Sequence, residues 1–336
     1  MPEHVTIVGD GAMATVCSIL LTAGGHGVTM WGAFEESIER LLQDREQTRL
    51  LPGVRVPAPV HLTANDGDCF AGATLILSAV PTQFMRSAWA RLKPHVPAGV
   101  PIVSVAKGIE NGTLLRPTQV IADVLDATRG KPRALAALSG PNIAGEIARY
   151  LPATAVAASE DAELAQRVQS ALSTQWFRVY TNPDVIGVEL AGAIKNVIAI
   201  AAGIVDGLAA GNNAKAALVT RGLVEITRLG VAMGARAETF NGLAGVGDLI
   251  TTCVSPEGRN RTVGERIGKG QKLEDILAGM DSVAEGVPTT RSVMELARQR
   301  GVEMPITEAV HAVLFEGKDV LQALSDLMTR EPKPEL

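Results

Sequence analysis

Aromatic side chains are scarce in this 336-residue chain, in which Phe, Trp and Tyr together make up 3%. A buried core therefore has to be assembled mainly from Ala, Val, Leu and Ile. Hydrophobic residues as a whole reach 46%, against 20% for charged residues. This balance is typical of a folded globular protein and excludes an intrinsically disordered chain. The length predicts two domains.

An excess of positive charge is also missing, because the formal net charge is −5 at pH 7. A protein that coats nucleic acid has to neutralise many phosphates with Lys and Arg. The charge balance therefore argues against a general nucleic-acid-binding function. It leaves room for a local basic pocket that binds a small anion.

Paired cysteines and metal-binding spacings are absent from the sequence as well. Cys17, Cys69 and Cys253 lie far apart and form no Cys-x-x-Cys pair, so we expect a reducing compartment. The five histidines show no His-x-x-x-His spacing, and we expect no metal site. The first residues carry neither a basic segment nor a cleavage pattern for secretion, which favours a cytoplasmic location.

One apolar run is long enough to cross a bilayer, at residues 190–210. It contains Lys195, Asn196 and Asp206, however, and such polar side chains are expensive in lipid. We therefore predict a buried helix in the core of a protein without membrane insertion.

The pattern of hydrophobic residues divides the chain into two halves. Short apolar runs alternate with helical patterns in the first half, which predicts a parallel sheet covered by helices on both faces. From about residue 183 only helical spacing is found. We predict strands at 4–8, 28–31, 74–79, 101–105, 134–138 and 153–158, and helices at 12–23, 185–205, 213–233, 290–300 and 307–315. The last seven residues are typical of a frayed tail.

A glycine-rich turn follows the first predicted strand and precedes the first predicted helix. Its pattern is Gly-x-Gly-x-x-Ala, with Gly9, Gly11 and Ala14. Gly9 permits the tight turn, Gly11 lets the backbone approach a pyrophosphate, and Ala14 lets the helix pack close to the strand. The free amides at the helix start then face the anion. This context predicts a dinucleotide site, and the alternative is a tight turn without a ligand. The fold class is accordingly α/β, with a Rossmann-like domain at 1–188 and an all-helical substrate-binding and catalytic domain at 189–336.

The choice between NAD and NADP stays open. An acidic residue at the end of the second strand would favour NAD, and a nearby Arg would favour NADP. Ala33 occupies this position and supplies neither. Glu35 and Glu36 are more typical of solvated carboxylates at a helix start, although they would disfavour an added phosphate.

Lys195 is the strongest candidate for proton transfer. Its helical neighbours are apolar or small, and such surroundings lower the pKa of a lysine towards the range useful for general acid–base chemistry. The alternative is a lysine that reaches the surface or forms a buried ion pair. The sequence contains neither a Tyr-x-x-x-Lys pattern nor an obvious His–Asp dyad.

Two further segments supply candidate partners. Asp248 ends the stretch Gly-Leu-Ala-Gly-Val-Gly-Asp and is a natural partner for Lys195, the alternative being an aspartate that caps the next helix. Arg259 and Asn260 stand at a predicted helix start, an arrangement that suits a phosphate. As ordinary surface charge they would need no explanation.

These segments together resemble the bacterial-type NAD(P)-dependent glycerol-3-phosphate dehydrogenase family. The resemblance runs from the glycine turn to about Lys318. The motifs that carry it, besides the three segments above, are Ser-Ala-Val-Pro-Thr-Gln at 78–83, Ala-Lys-Gly-Ile-Glu at 106–110, Leu-Ser-Gly-Pro-Asn-Ile-Ala at 138–144, Ala-Glu-Gly at 284–286 and Met-Pro-Ile at 304–306.

The resemblance implies reversible reduction of dihydroxyacetone phosphate to sn-glycerol 3-phosphate for phospholipid synthesis. It implies that Lys195, with Asp248, is catalytic. The apolar helical domain, for its part, favours a homodimer. The implied substrate-binding residues are Lys107, Gly140, Asn142, Lys195, Asp248, Gly258, Arg259 and Asn260. The implied cofactor-binding residues are Gly9, Gly11, Ala12, Met13, Ala14, Ala33, Lys107, Ala144, Arg259, Val283 and Glu285.

Some positions depart from the family pattern. Gly is usual at Ala14, Ser at Gly258, Ser or Thr at Asn142, and His or Arg at Ala33. These differences leave two alternatives: a related dehydrogenase that acts on another small phosphorylated hydroxy compound, or a catalytically inactive dinucleotide sensor. The sensor would have little reason to keep Lys195 together with its polar partners.

Overall fold

One mixed sheet forms the first half of the protein. The computed structural model describes residues 2–126, 133–332 and 334, so that part of the predicted tail lies outside the described residues. Within these residues eight strands are present, in the order β3-β2-β1-β4-β5-β6-β7-β8. They are β1 (His4–Val8), β2 (Gly27–Trp31), β3 (His61–Thr63), β4 (Leu75–Ser78), β5 (Ile102–Ser104), β6 (Leu135–Ser139), β7 (Ala153–Ala158) and β8 (Phe177–Asn182).

The prediction of a parallel sheet is wrong for one strand pair. Six of the seven pairs among the described strands are parallel, whereas β6 and β7 run antiparallel. The connection between β6 and β7 contains a helix of only five residues, Ala144–Ala148. A parallel crossover usually needs a helix that spans the sheet, and a short connection instead turns the chain back.

Helices cover both faces of the sheet, as the continuous apolar strands predict. Those of the first half are α1 (Ala12–Ala23), α2 (Glu35–Asp44), α3 (Thr82–Leu92), α4 (Pro117–Asp126), α5 (Ala144–Ala148) and α6 (Ala162–Leu172). The helices α1, α2, α5 and α6 share one hydrophobic cluster with the strands. On the other face a second cluster joins the strands to α3 and α4, and it contains Trp31 and Trp89.

The second half is helical in all its described residues. Its elements are α7 (Val185–Gly207), α8 (Asn212–Ala232), α9 (Ala237–Phe240), a π-helix (Leu243–Gly247), α10 (Asp248–Val254), α11 (Arg259–Gly268), α12 (Leu273–Ala278), α13 (Gly286–Arg300), α14 (Pro305–Phe315) and α15 (Val320–Met328). The predicted domain boundary at 188/189 falls inside the first turn of α7.

The long helix α7 is the core of this half. It is the one helix of the described chain that is apolar and long enough to span a membrane, but 94% of its most apolar window is buried inside the protein. The helices α8, α10, α11 and α13 pack around it. A core helix passes the same test of length and composition, and the interior position of α7 agrees with that prediction.

Glycines allow the backbones of α7 and α11 to touch. A Cβ atom at Gly264 would collide with the carbonyl oxygen of Ile200, and one at Gly203 would collide with that of Arg261. Because the two backbones are in direct contact, the position of α11 relative to α7 is fixed.

Candidate active site

The glycine turn lies between β1 and α1. Gly9 has a φ of 121°, and a Cβ atom there would lie 2.9 Å from the carbonyl oxygen of Ala79. Gly11 precedes α1 in an extended conformation, and no side chain caps the helix. The backbone amides of Ala12, Met13 and buried Ala14 therefore remain available at a helix start without steric obstruction. This cradle fits the pyrophosphate of a dinucleotide.

Two more of the predicted cofactor residues, Ala33 and Ala144, lie along the carboxyl edge of the sheet. Ala33 follows β2, and its carbonyl oxygen accepts a 2.7 Å hydrogen bond from Arg91 Nη1. Ala144 begins α5 and packs against the cluster that contains α1. A Cβ atom at the next residue, Gly145, would lie 2.7 Å from Glu257 Oε2, so the start of α5 is close to the loop that precedes α11.

Lys107 follows β5 and connects the two halves of the site. Its Nζ atom donates to the Gly140 carbonyl oxygen at 3.0 Å, to Asn142 Oδ1 at 2.6 Å and to Asp248 Oδ2 at 2.8 Å. Gly140 has a φ of 141° and no room for a Cβ atom beside Ala155. The turn after β6 thus brings a carbonyl and an amide to the ammonium group, at the edge where parallel sheets bind ligands.

Lys195 and Asp248 form a buried ion pair between α7 and α10. Lys195 Nζ lies 2.5 Å from Asp248 Oδ1 and 2.7 Å from Thr252 Oγ1, and the hydroxyl of Thr252 donates to the backbone oxygen of Asp248. The Asp248 carboxylate pairs with two ammonium groups and makes no capping hydrogen bond to α10. The alternative prediction, an aspartate that caps this helix, is therefore wrong. The side chains of Lys195 and Asp248 are 6% and 2% exposed.

Burial and charge displace the pKa values of this pair. Burial lowers the pKa of Lys195 to about 8, because the ammonium loses its hydration, and the Asp248 carboxylate only partly compensates. Burial alone would raise the pKa of Asp248, but the ammonium groups of Lys107 and Lys195 outweigh it, so the pKa lies below its ordinary value. Asp248 is therefore charged at neutral pH, while Lys195 is poised to gain or lose a proton.

Two buried polar atoms beside this cluster have no partner in the described part of the chain. They are Ser139 Oγ and Asn142 Nδ2. A Cβ atom at Gly192, one turn before Lys195 on α7, would lie 2.9 Å from Ser139 Oγ. Buried polar groups usually find a partner, and these two therefore mark a position for a polar ligand atom.

Sequence reasoning missed two contributors to the site. Thr252 holds Lys195, and it lies four residues after Asp248, one turn along the same helix face. Asn196 donates from Nδ2 to the carbonyl oxygen of Lys107 at 2.8 Å and so fixes the backbone of that loop. The spacing of Thr252 relative to Asp248 was the available signal, whereas the Asn196 contact depends on the packing of α7 against the sheet.

The remaining predicted residues form a second group at the start of α11. Gly258 precedes this helix, Arg259 Nη1 donates to the Val283 carbonyl oxygen at 2.9 Å, and Asn260 Oδ1 accepts from the Gly286 amide at 2.9 Å. Among the described contacts, no hydrogen bond joins Arg259 to the Lys195 cluster. Glu285 reaches the first half, because its Oε1 accepts from the backbone amide and the hydroxyl of Thr82 at the start of α3.

No metal-binding cluster of three or more His, Cys, Asp or Glu side chains is found in the described residues. The charged groups of the site instead pair with one another, because Asp248 forms ion pairs with Lys107 and Lys195. The chemistry that this arrangement can perform is proton transfer and the binding of anions.

Comparisons with known proteins cover nearly the whole chain. The model of the NAD-dependent glycerol-3-phosphate dehydrogenase N-terminus matches residues 4–165, and the model of the C-terminus of the same family matches residues 184–325. The chain is 46% identical over 333 residues to a glycerol-3-phosphate dehydrogenase (NAD(P)+) of Chlorobium limicola, covering 99% of both proteins. It is 48% identical over 336 residues to a second protein of that description from Salinibacter ruber, covering 100% of this chain and 97% of the relative.

A solved structure agrees with these relatives. The crystal structure of glycerol-3-phosphate dehydrogenase from Coxiella burnetii superimposes with a TM-score of 0.93 at 35% identity, covering 98% of this chain and 99% of the other. The matches to both family models, the relatives and the shared fold agree over both halves. The chain belongs to the NAD-dependent glycerol-3-phosphate dehydrogenase family.

Proposed function

We propose that the protein is an NAD(P)-dependent sn-glycerol-3-phosphate dehydrogenase that reversibly reduces dihydroxyacetone phosphate to sn-glycerol 3-phosphate. The observation that carries the proposal is the buried Lys195, held by Asp248 at 2.5 Å beside the carboxyl edge of a dinucleotide-binding sheet. A ketone reduction needs a proton donor at that edge, and Lys195 is a group with a suitable pKa. The relatives of this chain carry the same activity in their names.

The chemistry divides between the cofactor and the protein. The nicotinamide supplies or accepts the hydride when the dinucleotide is bound. In the reduction Lys195 gives a proton to the oxygen of the substrate carbonyl as it becomes an alkoxide, and the amine that results is neutral. Asp248 stays charged and keeps Lys195 in place, while Lys107 places a second positive charge beside the developing oxyanion. In the oxidation the neutral amine takes the proton back.

The substrate's other contacts are assigned to the polar groups around the cluster. Asn142 Nδ2 lacks a protein partner and suits a substrate oxygen, and Gly140 allows close approach of the backbone. We assign the phosphate to Gly258, Arg259 and Asn260 at the start of α11, where a guanidinium and helix amides combine.

The dinucleotide is assigned to the groups along the sheet edge and the segment that faces it. The backbone of the glycine turn and of the start of α1 would hold the pyrophosphate, at Gly9, Gly11, Ala12, Met13 and Ala14. Ala33 would border the adenosine ribose, and Lys107 would lie on the side of the nicotinamide. Ala144, Arg259, Val283 and Glu285 complete the enclosure, and the contact of Glu285 with Thr82 supports it by joining the two halves.

Several finer features belong to the same proposal. The boundary between the two domains lies at 188/189, and the enzyme forms a homodimer. It acts in the cytoplasm, where its product is used for phospholipid synthesis. The three cysteines are free thiols, which supports the proposal of a reducing compartment.

The function is tested with purified protein, dihydroxyacetone phosphate and either NADH or NADPH, followed through the absorbance of the reduced nicotinamide. We expect oxidation of at least one cofactor that depends on the ketone. Turnover only with other ketones would favour a related dehydrogenase. Tight cofactor binding without turnover on any ketone would favour a dinucleotide sensor.

Replacing Arg259 with alanine tests the phosphate site. We expect KM for dihydroxyacetone phosphate to rise about tenfold or more, with a smaller change in kcat, because one charge-assisted contact to the phosphate is lost. Steady-state kinetics at saturating cofactor measure the effect. Arg266→Ala is the matched control, since it removes the same side chain from the last turn of the same helix, where Arg266 hydrogen-bonds Gln271. Equal KM values for Arg259→Ala and wild type would contradict the assignment.

A further inference from the structure

The end of β2 carries a cation that comes from a distant part of the chain. Arg91, near the end of α3, donates from Nη1 to the carbonyl oxygen of Ala33 at 2.7 Å. In Rossmann-like sheets the residues just after the second strand border the adenosine ribose of the cofactor. Ala33 itself has no side chain that binds there, so Arg91 provides the cationic group at this position.

The guanidinium of Arg91 is held in place by three contacts. Besides Ala33, its Nε donates to Asp66 Oδ2 at 2.7 Å, and its Cζ lies 5.1 Å from the centre of the Trp31 ring. Asp66 is in turn fixed by the indole Nε1 of Trp31, which donates to its other oxygen at 3.0 Å. A guanidinium that is already ordered loses less entropy when it binds an anion.

One edge of this guanidinium is free. No hydrogen bond of the described chain uses Arg91 Nη2, and the side chain is 44% exposed. Asp66 is 22% exposed and occupied by Trp31 and Arg91, so it offsets part of the positive charge without covering the free edge. The exposed side of Arg91 can therefore form charge-assisted hydrogen bonds with a phosphate.

The acidic groups nearby leave this position open to an anion. Glu35 and Glu36 lie in the first turn of α2 and are exposed, where solvent screens their charge. Asp10 Oδ2, which lies close to Gly32 just after β2, accepts a 2.5 Å hydrogen bond from the Ser37 hydroxyl, so this carboxylate already has a donor. The ordered guanidinium of Arg91 opposes the disfavouring effect that these two glutamates would have on an added phosphate.

We propose that Arg91 binds the 2′-phosphate of NADPH, so that the enzyme accepts NADPH as well as NADH although Ala33 offers no side chain. The proposal rests on the proposed binding of a nicotinamide dinucleotide. It differs from a role in stacking on the adenine, because stacking would serve both cofactors alike. Arg91 is thus a specificity residue, and it takes no part in hydride or proton transfer.

Equilibrium binding of adenine nucleotides tests the proposal without catalysis. Isothermal titration compares 2′,5′-ADP, which carries the 2′-phosphate, with ADP, which lacks it. For Arg91→Ala we expect binding of 2′,5′-ADP to weaken about tenfold or more, and binding of ADP to change less than about twofold. Lys93→Ala is the matched control, because it removes a positive charge from the same end of α3. Its two affinities should equal those of the wild type.

Kinetics and salt give independent readouts of the same effect. KM for NADPH should rise in Arg91→Ala while KM for NADH and both kcat values stay near wild type, and the preference for 2′,5′-ADP should shrink at high salt. Equal losses for 2′,5′-ADP and ADP would overturn the proposal in favour of stacking or a structural role. Unchanged binding of both would overturn it as well, with the dinucleotide site intact. Failure of the wild type to bind either nucleotide would overturn the proposed function together with it.

Discussion

Replacing Lys195 with methionine is expected to lower kcat for dihydroxyacetone phosphate reduction by about 10³-fold, within the range that general acid–base groups contribute. Methionine is unbranched and apolar, so it fills the space of the lysine stem on α7 while removing the proton donor. Binding of NADH or NADPH should persist, because the glycine turn and the start of α1 are untouched. Stopped assays with high enzyme concentration measure the residual rate.

Lys215→Met is the matched control for this variant. Lys215 is a partly buried lysine of the helical half that pairs with Asp206, and Asp206 keeps Arg261 as a second partner. Its loss should leave kcat within about twofold of the wild-type value, as for substitutions away from the chemistry. A Lys195→Met enzyme with a kcat within tenfold of wild type would show that another group carries the proton.

The pKa of Lys195 gives this expectation a pH signature. Burial brings the pKa to about 8, and reduction needs the ammonium form. The rate of reduction should therefore fall as pH rises through about 8, and the rate of oxidation should rise over the same range. Both limbs should vanish in Lys195→Met. A wild-type profile without a transition between pH 7 and 9 would contradict the role of Lys195.

Replacing Asp248 with asparagine is expected to damage both stability and catalysis. The carboxylate is the shared counter-charge of Lys107 and Lys195, and the asparagine would leave two ammonium groups close together in a buried site. Removal of one partner from a buried ion pair costs about 3–5 kcal/mol, which lowers Tm measurably. Without the carboxylate the pKa of Lys195 should fall further, so the reduction should lose activity at a lower pH.

Two comparisons separate charge from mere disturbance of the fold. Asp206→Asn makes the same chemical change at a carboxylate that pairs with Lys215 and Arg261 outside the site, and its effect on the pH profile should be negligible. The double variant Lys107→Met with Asp248→Asn removes one of the two facing ammonium groups, and we expect it to recover part of the lost Tm but no activity. An Asp248→Asn protein with wild-type Tm and pH profile would contradict the model of a shared counter-charge.

The order of strands and helices could be predicted from the sequence because it depends on local hydrophobic patterns. The runs at 4–8, 12–23 and 153–158 match the strands and helix of the structure residue for residue. Strand β3 has only three residues, too few for any periodicity. Strand β8 alternates Phe177 and Val179 inward with Arg178 and Tyr180 outward, a pattern of period two that was present but not recognised.

The site could be predicted from the sequence only in part, because most of its contacts join residues that are far apart in the chain. Lys195 stood out because its own helix is apolar, a local property. Its distances to Asp248 and Thr252 depend on the packing of α10 against α7. The position of Arg91 beside Ala33 could not be read from the sequence, since 58 residues separate them and only the path of α3 across the sheet brings them together.

The burial of α7 also has a consequence for synthesis of the chain. The helices that cover it, α8, α10, α11 and α13, all follow it and end only at Arg300. At roughly 5–20 residues per second the ribosome needs about 5–20 s to produce them. During that interval this 23-residue apolar helix is covered only stepwise, first by α8 and then by the helices that follow it. It is then the segment of the growing polypeptide that chaperones have the most reason to bind.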